Sequence, residues 1–97
     1  MKWLEVIHLR ATEQESDRLI FIIKQLIDEI REKGNCQEIK MFNRALLETD
    51  VCIHLYHDND KAETAGSPIA LHLASALKTF GMVNHTVWLL NDRSETR

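Results

Sequence analysis

Residues Gly66 to Leu90, GSPIALHLASALKTFGMVNHTVWLL, decide how the chain is read. Ser67 followed by Pro68 is a helix start. The serine hydroxyl can accept a free N–H of the first turn, and proline at the first helical position needs no donor of its own. Ile69, Leu73, Ala76, Leu77 and Phe80 then recur three and four residues apart and form one apolar face, with Ser75 and Lys78 opposite. Gly81 reads as the left-handed cap that ends the helix. From Met82 to Leu90 the chemistry turns to that of a strand, with Val83, Thr86, Val87 and Trp88.

The chain before this unit supplies what must cover it. Trp3 to Arg10 is a strand with apolar residues on both phases of its alternation, which predicts cover on both faces. Thr12 and Glu15 have capping-box spacing, with Ser16 as an alternative cap. A long helix follows to Lys33, with Leu19, Ile23, Leu26, Ile27 and Ile30 as its buried stripe and Gly34-Asn35 as its stop. Glu38 to Arg44 is a charged edge strand. Leu47 to Asp50 reads as a turn, Val51 to His57 as a third strand and Asp58 to Gly66 as a charged loop.

The order strand, helix, strand, strand, helix, strand predicts an α+β fold. It is a ferredoxin-like split βαβ unit with a four-stranded antiparallel sheet and both helices on one face. The fourth strand should lie beside the first, then the third, then the second. Residues 1–91 form a single domain in this reading, and residues 92–97 a frayed tail. The uncovered face should carry Trp3, Ile7, Leu9, Phe42, Cys52, Tyr56, Trp88 and Leu90. That surface is too apolar for a monomer and predicts a homodimer joined through the sheets.

A dimer of this kind resembles the dimeric α+β barrel superfamily. Ser67-Pro68-Ile69-Ala70-Leu71, Leu77-Lys78-Thr79-Phe80-Gly81 and Val83-Asn84-His85-Thr86-Val87-Trp88 are similar to the antibiotic biosynthesis monooxygenase group within it. That group includes cofactor-independent oxygenases of aromatic substrates and haem-degrading enzymes. Their sites use Asn, Trp, His or Tyr residues in a pocket between the sheet and a helix. The resemblance therefore implies a pocket, without fixing a reaction.

Composition narrows the partners. The 97 residues carry a net charge of −3 and no basic cluster, which argues against nucleic acid. No apolar run approaches the about 20 residues of a bilayer span, and the first residues lack the apolar core of a signal peptide. Cys36 and Cys52 are isolated, as free thiols of a reducing cytoplasm are. His54 and His57 point to opposite faces of one strand, and His54 and His85 lie on strands held apart by another. No metal site is expected. Asp58-Asn59-Asp60 lacks the glycine and distal glutamate of a calcium loop and reads as a turn. His72 reads as a boundary residue of its helix.

The candidate site is Glu5, His54, Tyr56 and Trp88, expected on one wall of an inter-sheet cavity. His54 would be a base, Tyr56 a hydrogen-bond donor and Trp88 a stacking surface for an apolar or aromatic small molecule. The reaction would be cofactor-independent oxidation, in which the deprotonated substrate itself reduces oxygen. The alternatives are that these side chains only fill the dimer interface, and that the protein is a non-enzymatic ligand-binding or assembly module.

Overall fold

A computed structural model describes residues 1–11, 16–34, 36 and 38–91, with the side chains of Ser16, Leu47 and Glu48 left aside. The elements follow the expected order: β1 (Lys2–Ala11), α1 (Ser16–Lys33), β2 (Glu38–Arg44), β3 (Leu47–Asp58), α2 (Pro68–Leu77) and β4 (Gly81–Leu89). The four strands form one antiparallel sheet in the order β2-β3-β1-β4, with both helices over one face. The ferredoxin-like α+β fold predicted from the sequence is the fold observed. The Thr12–Glu15 cap and the 92–97 tail lie outside the described residues.

The core lies between the sheet and the helices. Leu19, Ile23, Ile27 and Ile30 of α1 and Ala70, Leu73, Ala74 and Leu77 of α2 pack onto Ile7, Leu9, Ile39, Val51, Ile53 and Leu55. Burial of each leucine, isoleucine or valine among them contributes about 1.5–3 kcal/mol. Gly34 closes α1 at φ 64°, and its N–H donates to Ile30 O and Arg31 O, as the stop signal required.

Four details differ from the reading of the sequence. The first is the phase of β1. Trp3, Ile7 and Leu9 lie beneath the helices, and Leu4, Val6 and His8 face outward. Both phases of β1 are apolar, so its alternation could not decide. The open face still carries Phe42, Cys52, Tyr56 and Trp88, which share the outward phase with Leu4 and Val6.

The second difference is the β2–β3 turn, which falls at Ala45-Leu46, with Leu46 at φ 65°; Leu47 already pairs with Arg44. The third is Gly81, which opens β4 instead of capping α2. The cap is Lys78, in ordinary helical conformation. Glycine at 81 answers to a neighbour, because a Cβ there would stand 2.0 Å from Arg10 O. The fourth is the stripe of α2, where Ala70 and Ala74 are buried and Ala76 is only partly so. No helix among the described residues is long and apolar enough to cross a membrane.

Candidate active site between the sheet and helix α2

Glu5 is fully buried in the middle of β1, where its Cα partners are Leu55 on β3 and Val87 on β4. A charged carboxylate in such a place must be paired and hydrogen-bonded. The register provides this diagonally. Trp3 pairs with His57 and Ile7 with His85, so one histidine flanks Glu5 on each side. His57 Nε2 donates to Glu5 Oε1 at 2.7 Å, and His85 Nε2 donates to Oε2 at 2.8 Å.

The helix supplies the rest. Ser67 N donates to Oε2 at 2.9 Å and Ser67 Oγ donates to Oε1. The same hydroxyl accepts from Ala70 N at 3.2 Å, so the capping serine links the start of α2 to the carboxylate. The helix N-terminus adds positive potential beside the anion.

Burial is the largest single influence on Glu5 and pushes its pKa up. The Ser67 hydroxyl, the Ser67 amide, His85 and His57 together outweigh it, and the net displacement is downward. Glu5 is therefore an anion at neutral pH. An ionised carboxylate only accepts, so each histidine presents its Nε2–H to it. Nδ1 remains as the atom of each ring able to take a proton.

The surroundings hold these rings in place. His57 stacks on Trp3 with centroids 4.0 Å apart and planes 19° from parallel. Trp3 Nε1 donates to Asn59 Oδ1 at 2.7 Å, fixing the indole to the loop after β3. Gly66, at φ 105°, lies against the His85 ring, and a Cβ there would come within 2.4 Å of His85 Cε1. The His57 side chain is 3% exposed and Glu5 0%, whereas His85 is 15% exposed. A ligand reaching this cluster meets His85 first. The arrangement is a carboxylate-oriented imidazole able to remove a proton from a bound molecule.

Three of the four residues expected to form the site do share a face, but Glu5 does not join them. Tyr56 and Trp88 flank Leu4 on the open side of the sheet, and His54 lies beside Val6. Glu5 points the other way because its neighbours in register, Leu55 and Val87, belong to the helix-side phase. The His54 ring packs against Phe42 at 4.8 Å and Tyr56 at 6.2 Å, and burial lowers its pKa. Trp88 is 59% exposed, and its Nε1 donates to Thr86 Oγ1 at 2.8 Å.

Sequence reasoning missed His57, Ser67 and His85 as partners of Glu5, and Trp3 and Asn59 as the groups that hold His57 in place. The available signal was a lone glutamate flanked on both sides by apolar residues, Trp3-Leu4 and Val6-Ile7, which calls for buried donors. Asn59 and its neighbours Asp58 and Asp60 are exposed, as is His72. Cys36 and Cys52 are free, and burial pushes both thiols up. Among the described residues, no group of three His, Cys, Asp or Glu side chains is arranged to hold a metal ion.

No family model matches the sequence, and no curated protein matches it. Solved structures do match the fold. SnoaB, a cofactor-independent oxygenase from Streptomyces nogalater, superimposes with a TM-score of 0.70 at 9% identity over 93% of each chain. Rv0793 from Mycobacterium tuberculosis gives 0.67 at 14% identity over 95% of this chain and 97% of its own. A further structure, described as an antibiotic biosynthesis monooxygenase, gives 0.62 at 10% identity over 92% and 96%. Across nearly its whole length, the chain shares the ferredoxin-like fold of these three structures.

Proposed function

We propose that the chain is a cytoplasmic, homodimeric, cofactor-independent monooxygenase of phenolic aromatics whose para carbon carries a hydrogen. His85 is its base and Glu5 the group that orients it. The observation that carries this reading is the Glu5 carboxylate, buried under α2 and bonded to His57, His85 and Ser67. The fold shared with SnoaB, a cofactor-independent oxygenase, supports the reaction class.

His85 Nδ1 takes the phenolic proton, and the imidazolium so formed is held against Glu5. The phenolate passes one electron to dioxygen, and the radical pair closes a carbon–oxygen bond at the para carbon. The resulting peroxide takes back a proton and loses water together with that carbon's hydrogen, leaving a carbonyl. One oxygen atom ends in the quinone and the other in water, and all four electrons come from the substrate.

His54, Tyr56 and Trp88 belong in this reading to the dimer. Their face is apolar and unpaired in the single chain, with Phe42 45% and Trp88 59% exposed. The test is oxygen consumption with a panel of polycyclic phenols in air-saturated buffer. Protein-dependent uptake should deliver one labelled atom per product from isotopic dioxygen, and His85→Asn should abolish it. Absence of uptake across the panel would favour the non-enzymatic ligand-binding or assembly module.

A further inference from the structure

The two edges of the sheet are built differently. β2, at one edge, carries Glu38, Lys40 and Arg44, and Arg31 Nη2 donates to Ile39 O at 3.0 Å, so its outer backbone is partly occupied. Charges and cover of this kind keep an edge from pairing with another chain. β4, at the other edge, runs nine residues, Gly81–Leu89, without a lysine, arginine, aspartate or glutamate. Its valines, threonine and tryptophan favour the extended conformation. Among the described residues no strand pairs with its outer side.

The register identifies the backbone groups on that outer side. Leu90 N donates to Lys2 O at 3.1 Å, so these two residues are a hydrogen-bonded pair. Such pairs alternate along an antiparallel ladder. Trp88, Thr86 and Asn84 therefore bond to β1, and Leu89, Val87, His85 and Val83 turn their N–H and C=O groups outward. The same count carried across β3 turns Ile39 outward on β2, and its carbonyl is the one that Arg31 reaches.

The outward residues of β4 are those whose side chains lie on the helix side, and His85 is among them. A row of free donors and acceptors calls for another extended backbone. A second β4 offers the same groups, and the match is self-complementary about a twofold axis. In every antiparallel register odd-numbered residues then meet odd-numbered ones, with their side chains on the helix side. Strands so joined lie about 4.8 Å apart, close enough for side chains to touch.

We infer that β4 is the seam of the homodimer: two copies of β4 form one antiparallel ladder, and Val83, His85 or Val87 of the partner subunit closes the outer flank of His85. This seam presupposes the homodimer proposed above and adds to it where the copies join. The two sheets bend about the seam and close their open faces on each other, while the charged β2 edges take no part. The site beside Glu5 is then incomplete in a single chain, and a bound phenol is walled in part by the second copy.

The experiment is amide hydrogen exchange followed by NMR on the intact labelled protein, read beside its mass by light scattering. In the wild-type dimer the Val83, His85 and Val87 amides should be protected at least tenfold relative to an unfolded chain, as those of Asn84 and Thr86 are. In the Trp88→Glu monomer only Asn84 and Thr86 should stay protected. Val87→Pro removes one outward N–H and no bond to β1, so it should keep the fold by circular dichroism and weaken the dimer at least tenfold. A dimer whose outward amides exchange freely, or a Val87→Pro dimer of unchanged affinity, would overturn the seam and leave the homodimer standing. Outward amides protected in the monomer would also overturn it, because the cover would then belong to the same chain. A monomeric wild type would remove the seam and the homodimer together.

Discussion

Glu5 Oε2 and His85 Nε2 are 2.8 Å apart although 80 residues separate them in the chain. β1 and β4 are the first and last strands in sequence and are neighbours in the sheet, so the topology itself brings the two together. His57 arrives from the other side on β3, and Ser67 from above with α2. One carboxylate thus joins three elements of secondary structure to the strand that carries it. The structural role of that group and the chemical role proposed for it can be separated by experiment.

His85→Asn should lower turnover of a phenolic substrate by about 10²–10⁴, the usual contribution of a positioned base. Stability should change little by comparison, because His85 is the partly exposed member of the cluster. Oxygen uptake alongside chemical denaturation makes the distinction. Loss of folding with no change in turnover per folded molecule would assign His85 a structural role.

The pKa of Glu5 predicts a pH dependence. Burial raises it, the donors from Ser67, His85 and His57 lower it by more, and the folded value ends below the ordinary 4.5. A carboxyl depressed in the folded state contributes stability that is fully present above its unfolded pKa. That contribution is lost as pH falls through the folded value. Wild-type stability should therefore decline more steeply below about pH 4.5 than that of Glu5→Gln. Parallel stability curves for the two proteins between pH 3 and 6 would contradict the bonding described.

Periodicity and turn chemistry carried most of the fold. Ser67-Pro68 marked the start of α2 and Gly34 the end of α1, because local backbone requirements leave residue signatures there. The phase of β1 was not legible, since Trp3, Ile7 and Leu9 are no more apolar as a set than a covered open face would demand. Glu5 was expected on the open face and lies on the helix side, because its partners follow from register and register is not written in any one strand. Gly81 shows the same limit. A glycine required by the approach of Arg10 O looks, in sequence, like one required by a helix cap.

Ser67→Ala should destabilise by about 2–3 kcal/mol, a cap of about 1 and the remainder for a hydroxyl lost from a buried carboxylate. Gly81→Ala should cost at least about 1–3 kcal/mol, because its Cβ meets the β1 backbone. Unfolding midpoints in urea measure both. A neutral Ser67→Ala would show that the serine neither caps α2 nor supports Glu5.

The dimer is tested through Trp88. Tyr56, Leu4 and Trp88 form one row across the open face, with Phe42 and His54 beside them. Light scattering at micromolar concentration should give twice the chain mass of 11.3 kDa. Trp88→Glu should shift it toward the monomer, since the interface would have to bury an unpaired charge. A monomeric wild type would remove the dimer from the proposal while leaving the Glu5 cluster intact.

His54→Ala finally separates the two faces. His54 packs between Phe42 and Tyr56 with its pKa lowered by burial, so it is neutral at pH 7 and could in principle serve as a base. If catalysis belongs to the helix side, His54→Ala should keep turnover within about threefold of wild type, and His85→Asn should not. The same substitution should weaken dimerisation, because it removes ring contacts from the open face. Turnover that falls with His54→Ala in a protein still dimeric would move the active centre to the open face and assign Glu5, His57 and His85 to stability alone.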